Sequence, residues 1–491
     1  MTAIEFIDTS TRDGDQSLWS ATGLATADVL QVAPVIDRVG YHALDFTAST
    51  FIGISVRFHR EDPWRRIRLV SAAMPNTPLG MITSGMRFIS WVPAGEDVMG
   101  LVFRLIARNG IRRLQVVDPS NDPDRLRAIA ALAHAAGIEE VVLGLTYSIS
   151  PVHTVEYYAE RAAALADCAD MDRFYLKDPG GLLIPDVVRE LAPHFRAAAG
   201  AGKTELHSHC TIGMAPLVYV EGVRAGFQAV HTASGPLSRG TSQPEVASTA
   251  RNLEAAGFAH ELDLEAAGRV AEHFYALARA KGLPAGQPQE FDAAYYKHQL
   301  PGGMVTTTQR MLAEIRRPEL FGAVLEEVTR VRAEMGYPII VTPVSQFIAT
   351  QATYNVIDGE RWKTVSDETV RYFLGHYGDA PAAVDSDVAD RVLSRPGVDK
   401  LKDLRPITLD GARRRFGNRV SEEELLLRLT MPAEQVDAML AARGRPLDLA
   451  VRNGSERAPL VELLRALEQR PEISYLEMVR DDETVVWRRG G

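Results

Sequence analysis

The order of strand and helix patterns over the first 260 residues constrains the fold most. Short runs rich in β-branched and other apolar residues alternate with longer runs in which apolar residues recur every three or four positions. Candidate strands lie at residues 4–8, 42–46, 78–83, 113–117, 140–146, 174–177, 204–209 and 229–233. Eight such units in about 250 residues match a closed (β/α)8 TIM barrel, because a doubly wound sheet usually needs fewer strands.

The length of the chain predicts more than a barrel. It has 491 residues, whereas a single core rarely grows beyond about 250–300 residues. We expect a barrel domain over residues 1–260, a helical extension with an active-site lid and funnel over 261–443, and a small C-terminal appendage over 444–491. Within the last two parts we predict helices at 263–281, 309–334, 422–442 and 459–469, a turn or lid at 301–303, and strands at 473–478 and 484–487.

Composition excludes several classes of protein. The net charge of −10 argues against a nucleic-acid-binding protein, which needs a concentrated basic face. The two cysteines exclude a disulfide framework and any CxxC motif, and favour a reducing compartment. The first 16 residues are charged, without the apolar core of a signal peptide, and no apolar run approaches the ~20 residues of a membrane span. We therefore expect a cytoplasmic protein that is not inserted in a membrane.

Several predicted strands end in side chains that can do chemistry. Asp8 ends the first, Asp118 follows the fourth, Lys177 ends the sixth, and His207 and His209 lie on the seventh. In a barrel of this kind the C-terminal ends of all strands meet at one mouth. The five side chains are therefore expected to converge although they lie far apart in the sequence.

The His207-Ser208-His209 segment predicts a metal site. Residues i and i+2 of a strand point to the same face, so both imidazoles can reach one divalent cation such as Zn, Mn, Co or Fe. Asp8 is expected to add a carboxylate, since the first strand closes beside the eighth, and Arg12 and Asp13 are placed at the rim. The alternative is a pair of buried histidines held only by hydrogen bonds.

Lys177 has three interpretations, because a lysine at the inward end of a barrel strand is costly to bury as a cation. It could form a salt bridge with Asp178 or Asp8, act as a Schiff-base nucleophile, or react with CO2 to give a carbamate that binds the metal. The residues alone do not separate these, and the salt bridge is the default.

As a set, the motifs resemble one known family over residues 1–440. It is the carboxyltransferase domain shared by pyruvate carboxylase, the α subunit of oxaloacetate decarboxylase and the 5S subunit of transcarboxylase, which is akin to hydroxymethylglutaryl-CoA lyase. The matching segments include Leu176-Lys177-Asp178-Pro179-Gly180-Gly181 and Gly240-Thr241-Ser242-Gln243-Pro244; the others lie at residues 8–18, 59–64, 207–209, 300–304, 341–346 and 359–363.

The resemblance implies a divalent metal, Zn, Mn or Co, held by an aspartate, a carbamylated lysine and the two histidines, which we match to Asp8, Lys177, His207 and His209. Lys177 is then a carbamate, which turns an awkward buried cation into an anionic ligand.

The resemblance also implies a proton shuttle, matched to Thr241, and a residue lining the substrate and biotin pocket, matched to Gln16. Arg12 is grouped with the catalytic residues. For Thr241 the alternative is a hydroxyl that only satisfies a turn. The implied reaction moves CO2 between N1 of biotin and an enolisable carbon, with the metal environment stabilising the enolate; in reverse it decarboxylates an oxaloacetate-like acid.

The sequence near the C-terminus, compared with the resembling family, indicates which partners to expect. Residues 474–478 do not contain the Met-Lys-Met of a biotin carrier domain, so we expect biotin to arrive on a separate biotin carboxyl carrier protein served by a biotin carboxylase subunit. The other expected partners are a small-molecule substrate and a second copy of the chain in a homodimer.

The third predicted strand departs from the family pattern. Where the family has Leu-Arg-Gly, with the arginine clamping the carboxylate of pyruvate, this chain has Ser84. Arg87 is the nearest candidate substitute, although it lies off the strand register, and residues 46–51 also lose the two glycines of the family's Trp-Gly-Gly-Ala-Thr-Phe. We therefore assign both Ser84 and Arg87 to the substrate- or biotin-binding region and expect an acceptor that need not be pyruvate.

Two other functions compete with the transferase. One is a metal-dependent decarboxylase, lyase or aldolase on the same barrel that acts without biotin. The other is a non-catalytic assembly subunit that kept the fold. The helical extension and the motif around Thr241 favour the transferase over the first, and the complete set of candidate catalytic side chains argues against the second.

Overall fold

A computed structural model describes residues 3–89, 94–402, 406–443, 447, 467, 470, 473–480 and 483–488. Its centre is a closed barrel of eight parallel strands in sequence order, which confirms the predicted (β/α)8 TIM barrel. The strands are β1 Glu5–Asp8, β2 Ala43–Ala48, β3 Leu79–Ser84, β4 Ile111–Val117, β5 Glu140–Thr146, β6 Arg173–Asp178, β7 Lys203–Ser208 and β8 Ala229–Thr232.

Helices surround the barrel and make up most of the chain beyond it. Those of the barrel region are α1 Asp15–Trp19, α2 Thr26–Leu30, α3 Ala33–Ile36, α4 Ser49–Ile54, α5 Pro63–Ala73, α6 Glu96–Asn109, α7 Pro123–Ala135, α8 Val155–Ala163, α9 Pro185–Ala199, α10 Ala215–Ala225 and α11 Val246–Ala255. Those that follow are α12 Leu264–Lys281, α13 Tyr295–His298, α14 Gly302–Glu314, α15 Phe321–Glu334, α16 Val344–Asp358, α17 Asp367–Phe373, α18 Ser386–Leu393, α19 Asp399–Lys402, α20 Leu409–Phe416, α21 Glu422–Thr430 and α22 Ala433–Ala442.

Local sequence signals set where the helices begin. The side chains of Asp122, Thr154 and Asp263 accept hydrogen bonds from backbone N–H groups in the first turns of α7, α8 and α12. Proline occupies the first turn of α5, α7 and α9, where its missing N–H costs no helical hydrogen bond. These caps fix the βα loops, and the loops at the mouth carry the candidate site.

The N-terminal end of the barrel is closed by buried ion pairs. Arg113 donates to Glu140 and Glu205, and Arg173 donates to Glu5 and Glu205. Above this layer Ile82, Val117, Val142 and Tyr175 form an apolar cluster. The candidate catalytic side chains therefore lie at the opposite, C-terminal end, over a packed interior.

The helical extension contributes to two cores. Leu426 of α21 and Met439 of α22 belong to the main core around the barrel. Val328 of α15, Ile348 of α16 and Trp362 belong to a second core. The division of the chain at residues 260 and 443 stays a prediction.

Prolines interrupt two of the predicted helices. The pattern over residues 309–334 is divided between α14 and α15 by a short turn, Pro318–Leu320, and Arg316 before it has a φ of 59°. Pro432 separates α21 from α22. The apolar spacing continues across both prolines, but a proline cannot donate the i→i−4 hydrogen bond. The turn predicted at residues 301–303 is instead the start of α14, with Pro301 as its N-cap.

Part of the C-terminal appendage is described. Tyr475–Arg480 (β9) and Glu483–Arg488 (β10) pair antiparallel, which confirms the two predicted strands. The helix predicted at residues 459–469 lies outside the described residues except for position 467. Across the described part of the chain, no helix combines the length and apolar character that a membrane span requires.

Candidate metal centre and active site

The loop after β1 brings charged side chains over the barrel mouth. Beyond Asp8 the chain enters a π-helical turn, Ser10–Gly14, that runs directly into α1. Gly14 is required at this point, because a Cβ there would lie 2.7 Å from the carbonyl oxygen of Leu237. The turn carries Arg12 and Asp13 into the buried interior.

Asp13, His207 and His209 form one buried cluster whose ligand atoms all lie within 4.8 Å of one another. Asp13 Oδ2 is 3.2 Å from His207 Nε2 and 3.4 Å from His209 Nε2. The two histidines come from the end of β7 and the residue just after it, as the strand period predicts. The expected convergence of the His-x-His pair is therefore present in the structure.

Hydrogen bonding fixes which nitrogen of His209 faces the cluster. Its Nδ1 lies 2.6 Å from the backbone oxygen of Thr241, and a carbonyl oxygen can only accept. Nδ1 therefore carries the hydrogen, and the lone pair on Nε2 faces Asp13.

Gln243 belongs to the same cluster and was missed as a functional residue in the sequence. Its Nε2 lies 2.9 Å from His209 Nε2, 3.2 Å from His207 Nε2 and 3.1 Å from Asp13 Oδ2. Its Oε1 accepts from the hydroxyl of Thr9 at 2.8 Å. Three acceptor atoms thus face one position that suits a donor or a cation, and two imidazoles with a carboxylate fit Zn, Mn or Co. The only sequence signal was its place in the Gly240–Pro244 motif.

Asp8, the carboxylate predicted as a ligand, lies outside this cluster. It accepts from Ser10 N at 2.8 Å, Ser10 Oγ at 3.0 Å and Ser234 Oγ at 3.1 Å, and burial raises its pKa to about 6. The structure therefore does not place Asp8 with the two histidines, as the sequence predicted; the carboxylate that lies with them is that of Asp13. Strand alternation does not extend through the π-helical turn, so it could not identify the residue that reaches the mouth.

Lys177 lies on β6 and is buried. Burial, followed by the positive charge of Arg12, lowers the pKa of its amine to about 8. Neither predicted salt bridge is present among the described residues: Asp178 accepts from Leu182 N, Leu183 N and Ser208 Oγ, and Asp8 accepts from Ser10 and Ser234.

A second buried polar group lies beside Lys177. Thr146 of β5 pairs with Lys177 in the sheet register. Its buried hydroxyl has no hydrogen-bond partner in the part of the chain that the structure describes. A carbamate on Lys177 would give this hydroxyl an acceptor, so the residues present fit that modification.

Arg12 holds the acidic side of the cluster in place. Its Nε donates to Asp45 Oδ2 at 2.9 Å, and its Nη1 lies 3.2 Å from Asp13 Oδ1. Burial alone would raise the pKa of Asp13, but the positive charge of Arg12 beside it holds that pKa well below its ordinary value. Asp13 is therefore an anion at neutral pH, as a ligand must be.

Thr241 lies next to the cluster through His209. Its hydroxyl donates to the backbone oxygen of Ser17 at 3.0 Å. Ser17 follows Gln16 in α1, and both side chains are half-buried. The structure thus brings the predicted proton shuttle to the first-strand loop and leaves its hydroxyl oxygen able to accept.

Ser84 and Arg87 contact the helical extension. Ser84 Oγ donates to the backbone oxygen of Thr342 at 3.4 Å. Arg87 Nη2 donates to the backbone oxygen of His376 at 3.2 Å, and its guanidinium lies 4.5 Å from the ring centre of Tyr377. The extension therefore covers the β3 side of the mouth.

Comparisons with known proteins agree with the motifs. A family model described as "Conserved carboxylase domain" matches residues 295–459. The chain is 34% identical over 391 residues to a pyruvate carboxylase subunit of Methanocaldococcus jannaschii, covering 79% of this chain and 68% of that protein. It is 32% identical over 379 residues to the methylmalonyl-CoA carboxyltransferase 5S subunit of Propionibacterium freudenreichii subsp. shermanii, covering 77% and 74%.

A further relative and a solved structure extend the comparison. The 2-oxoglutarate carboxylase large subunit of Hydrogenobacter thermophilus is 28% identical over 447 residues, covering 88% of this chain and 68% of that protein. The carboxyl transferase domain of Rhizobium etli pyruvate carboxylase, solved with pyruvate, superposes with a TM-score of 0.81 at 23% identity, covering 90% of this chain and 77% of that one. At 23% identity this match supports the fold alone.

Proposed function

The chain belongs to the family of biotin-dependent carboxyltransferases, the enzymes its motifs resemble, and on that premise we propose the reaction it performs. It moves a carboxyl group between biotin on a separate carrier protein and the enolisable carbon of a small acid of the pyruvate and oxaloacetate class. The observation that carries the proposal is the convergence of Asp13, His207 and His209 beside Lys177 and Thr241 at the barrel mouth.

The proposed ligand set is Asp13, His207, His209 and a carbamate on Lys177. A pKa of about 8 leaves part of the Lys177 amine unprotonated near neutral pH, so it can attack CO2 and lose a proton. A divalent ion held there, Zn, Mn or Co, would act as a Lewis acid toward negative charge that develops on the substrate.

The chain's own residues perform the remaining steps. Thr241 carries a proton from the acceptor carbon to N1 of biotin as the bond between N1 and the carboxyl carbon breaks, and the acceptor carbon then bonds to the released CO2. Its hydroxyl oxygen has a lone pair to take the first proton, because among the described residues the hydroxyl forms one hydrogen bond, which it donates to the backbone oxygen of Ser17. Arg12 keeps Asp13 ionised and in position, and Gln16 lines the pocket beside Thr241.

We assign acceptor binding to the β3 side of the mouth, where Ser84 and Arg87 lie. Arg87 is half-buried, and its Nε is a buried atom that has no hydrogen-bond partner within the described ranges. The relatives are named for pyruvate and 2-oxoglutarate, so 2-oxo acids are the first candidates. Arg87 is the proposed partner of their carboxylate.

The proposed partners are a biotin carboxyl carrier protein, a biotin carboxylase subunit and a second copy of the chain. The relatives support this because they are named as subunits. A cytoplasmic location is part of the same proposal, supported by the two cysteines, both of which are free.

The test measures carboxyl exchange between a biotinylated carrier protein and a panel of 2-oxo acids, together with metal content. Thr241→Ala is expected to keep its metal and lose exchange, while Thr241→Ser keeps both. Undiminished exchange in Thr241→Ala would contradict the shuttle. Decarboxylation that proceeds equally well without biotin would instead favour the lyase.

A further inference from the structure

A row of buried side chains connects His207 to the floor of the barrel. His207 Nδ1 lies 3.1 Å from His231 Nδ1, and His231 Nε2 lies 2.8 Å from Glu205 Oε2. All three residues are fully buried. The ring of Tyr175 lies parallel to that of His231, 5.7 Å between centres, and fixes its plane. The row starts at His207, one of the proposed metal ligands, and ends at the ion pairs of Glu205.

The ion pairs of Glu205 at the N-terminal end of the barrel determine which nitrogen of His231 carries a hydrogen. Glu205 accepts from Arg113 on one oxygen and from Arg173 on the other. A carboxylate held by two guanidinium groups is ionised and can only accept. The contact with His231 is therefore a hydrogen bond donated by His231 Nε2.

The same donor and acceptor rules determine the tautomer of His207. With its hydrogen on Nε2, a neutral His231 presents a lone pair on Nδ1, so His207 must donate through its own Nδ1. The lone pair of His207 Nε2 then faces Asp13, His209 and Gln243. In the opposite tautomer, His207 would place an N–H in the cluster and could not bind a cation.

We propose that Glu205 and His231 are positioning residues that hold His207 in the tautomer able to bind the metal. The inference rests on the metal site of the proposed function and deepens it. Groups that orient metal-binding histidines typically change metal affinity by about 10–100-fold when they are removed. His209 needs no such row, because the backbone oxygen of Thr241 does the same for it.

Three variants of the full chain separate hydrogen bonding from packing. His231→Phe removes both the donor and the acceptor, whereas His231→Gln keeps one of each. His153→Phe is the matched control, because His153 is a buried histidine that bonds to Ser150 Oγ at 2.7 Å and belongs to no metal-binding cluster among the described residues. Affinity for Co2+ is measured by chelator competition, and the visible absorption of the Co2+ forms reports their coordination.

We expect His231→Phe to bind Co2+ about 10–100-fold more weakly with an altered spectrum, and His231→Gln and His153→Phe to bind like the unchanged protein. Equal affinity in His231→Phe overturns the inference, as does a loss in His231→Gln as large as that in His231→Phe. If the unchanged protein binds no divalent metal, the proposed function fails as well.

A measurement without any buried substitution keeps the test independent of folding. In metal-free protein with 15N-labelled histidine, the resonance assigned to His207 is expected to show its hydrogen on Nδ1. A hydrogen on Nε2 there contradicts the inference whatever the variants do.

Discussion

Replacing Asp8 and Asp13 one at a time tests which of these two buried aspartates binds the metal. Asp13→Asn removes the only carboxylate in the cluster with the two histidines within the described part of the chain. Asp8→Asn changes a carboxylate that is hydrogen-bonded to Ser10 and Ser234 instead. The two changes are chemically identical, and they lie five residues apart, Asp8 at the end of β1 and Asp13 in the turn that follows, so each is the other's control.

The expected effects differ by orders of magnitude. Two unit charges 4 Å apart attract by about 4 kcal/mol at an effective dielectric constant of about 20, and a divalent ion that binds the carboxylate directly gains at least as much. At about 1.4 kcal/mol per factor of ten, Asp13→Asn should weaken metal binding by about 1,000-fold or more. Asp8→Asn keeps an acceptor oxygen for the Ser10 N–H, so its metal affinity should stay within about threefold.

The assay is chelator competition for Zn2+ at pH 7.5, with thermal unfolding to verify that both variants fold. A larger loss of affinity in Asp8→Asn than in Asp13→Asn would refute the ligand assignment and restore the one made from the sequence. Equal losses of metal affinity in the two variants would show that either substitution disturbs the whole loop. The hydrogen-bond geometry would then not identify the metal ligand.

The other predictions concern pH, the lysine, the acceptor and the floor. Burial raises the pKa of Asp8 from 3.8 to about 6. The stability that protonated Asp8 contributes is therefore complete below about pH 4 and is lost as the pH rises through about 6. Between pH 4 and pH 8 the free energy of unfolding of Asp8→Asn, measured in urea, should rise by about 3 kcal/mol relative to that of the unchanged protein. Lys177→Met should bind metal at least about tenfold more weakly, and its affinity should no longer increase with added bicarbonate in chelator competition. Ser84→Arg should raise kcat/KM for pyruvate about 10–100-fold over Ser84→Ala, because it restores a charge-assisted hydrogen bond. Glu205→Gln should cost about 3–5 kcal/mol in thermal unfolding, whereas Glu221→Gln, whose ion pairs are at the surface, should cost less than about 1 kcal/mol.

The barrel could be predicted because each of its strands is a separate local signal. A parallel strand buried on both faces appears as a short apolar run, and the helix that follows has its own period. The His-x-His pair could be predicted for a related reason, since the strand period alone places His207 and His209 on one face. Both inferences require only local geometry.

The carboxylate of the proposed metal site could be identified only from information that is not local. Asp8 and Asp13 are similar in sequence context, and only the π-helical turn decides which of them reaches the mouth. That turn brings Gly14 close to Leu237, a residue that follows β8 and is therefore distant in the sequence. Gln243 and the His231–Glu205 row are also products of packing between distant strands, so no spacing in the sequence could reveal them.

The charges around Lys177 connect the metal to the carbamate. Its surroundings are Arg12, Asp13 and Asp45, which together with a protonated Lys177 sum to zero when both histidines are neutral. A divalent ion adds two positive charges to this buried group, and uncompensated charge is costly there. Conversion of Lys177 from a cation to a carbamate anion removes the same two charges. Metal binding and carbamylation should therefore be coupled, each increasing the affinity for the other as thermodynamic linkage requires. This is why bicarbonate should raise the metal affinity of the unchanged protein and have no effect in Lys177→Met.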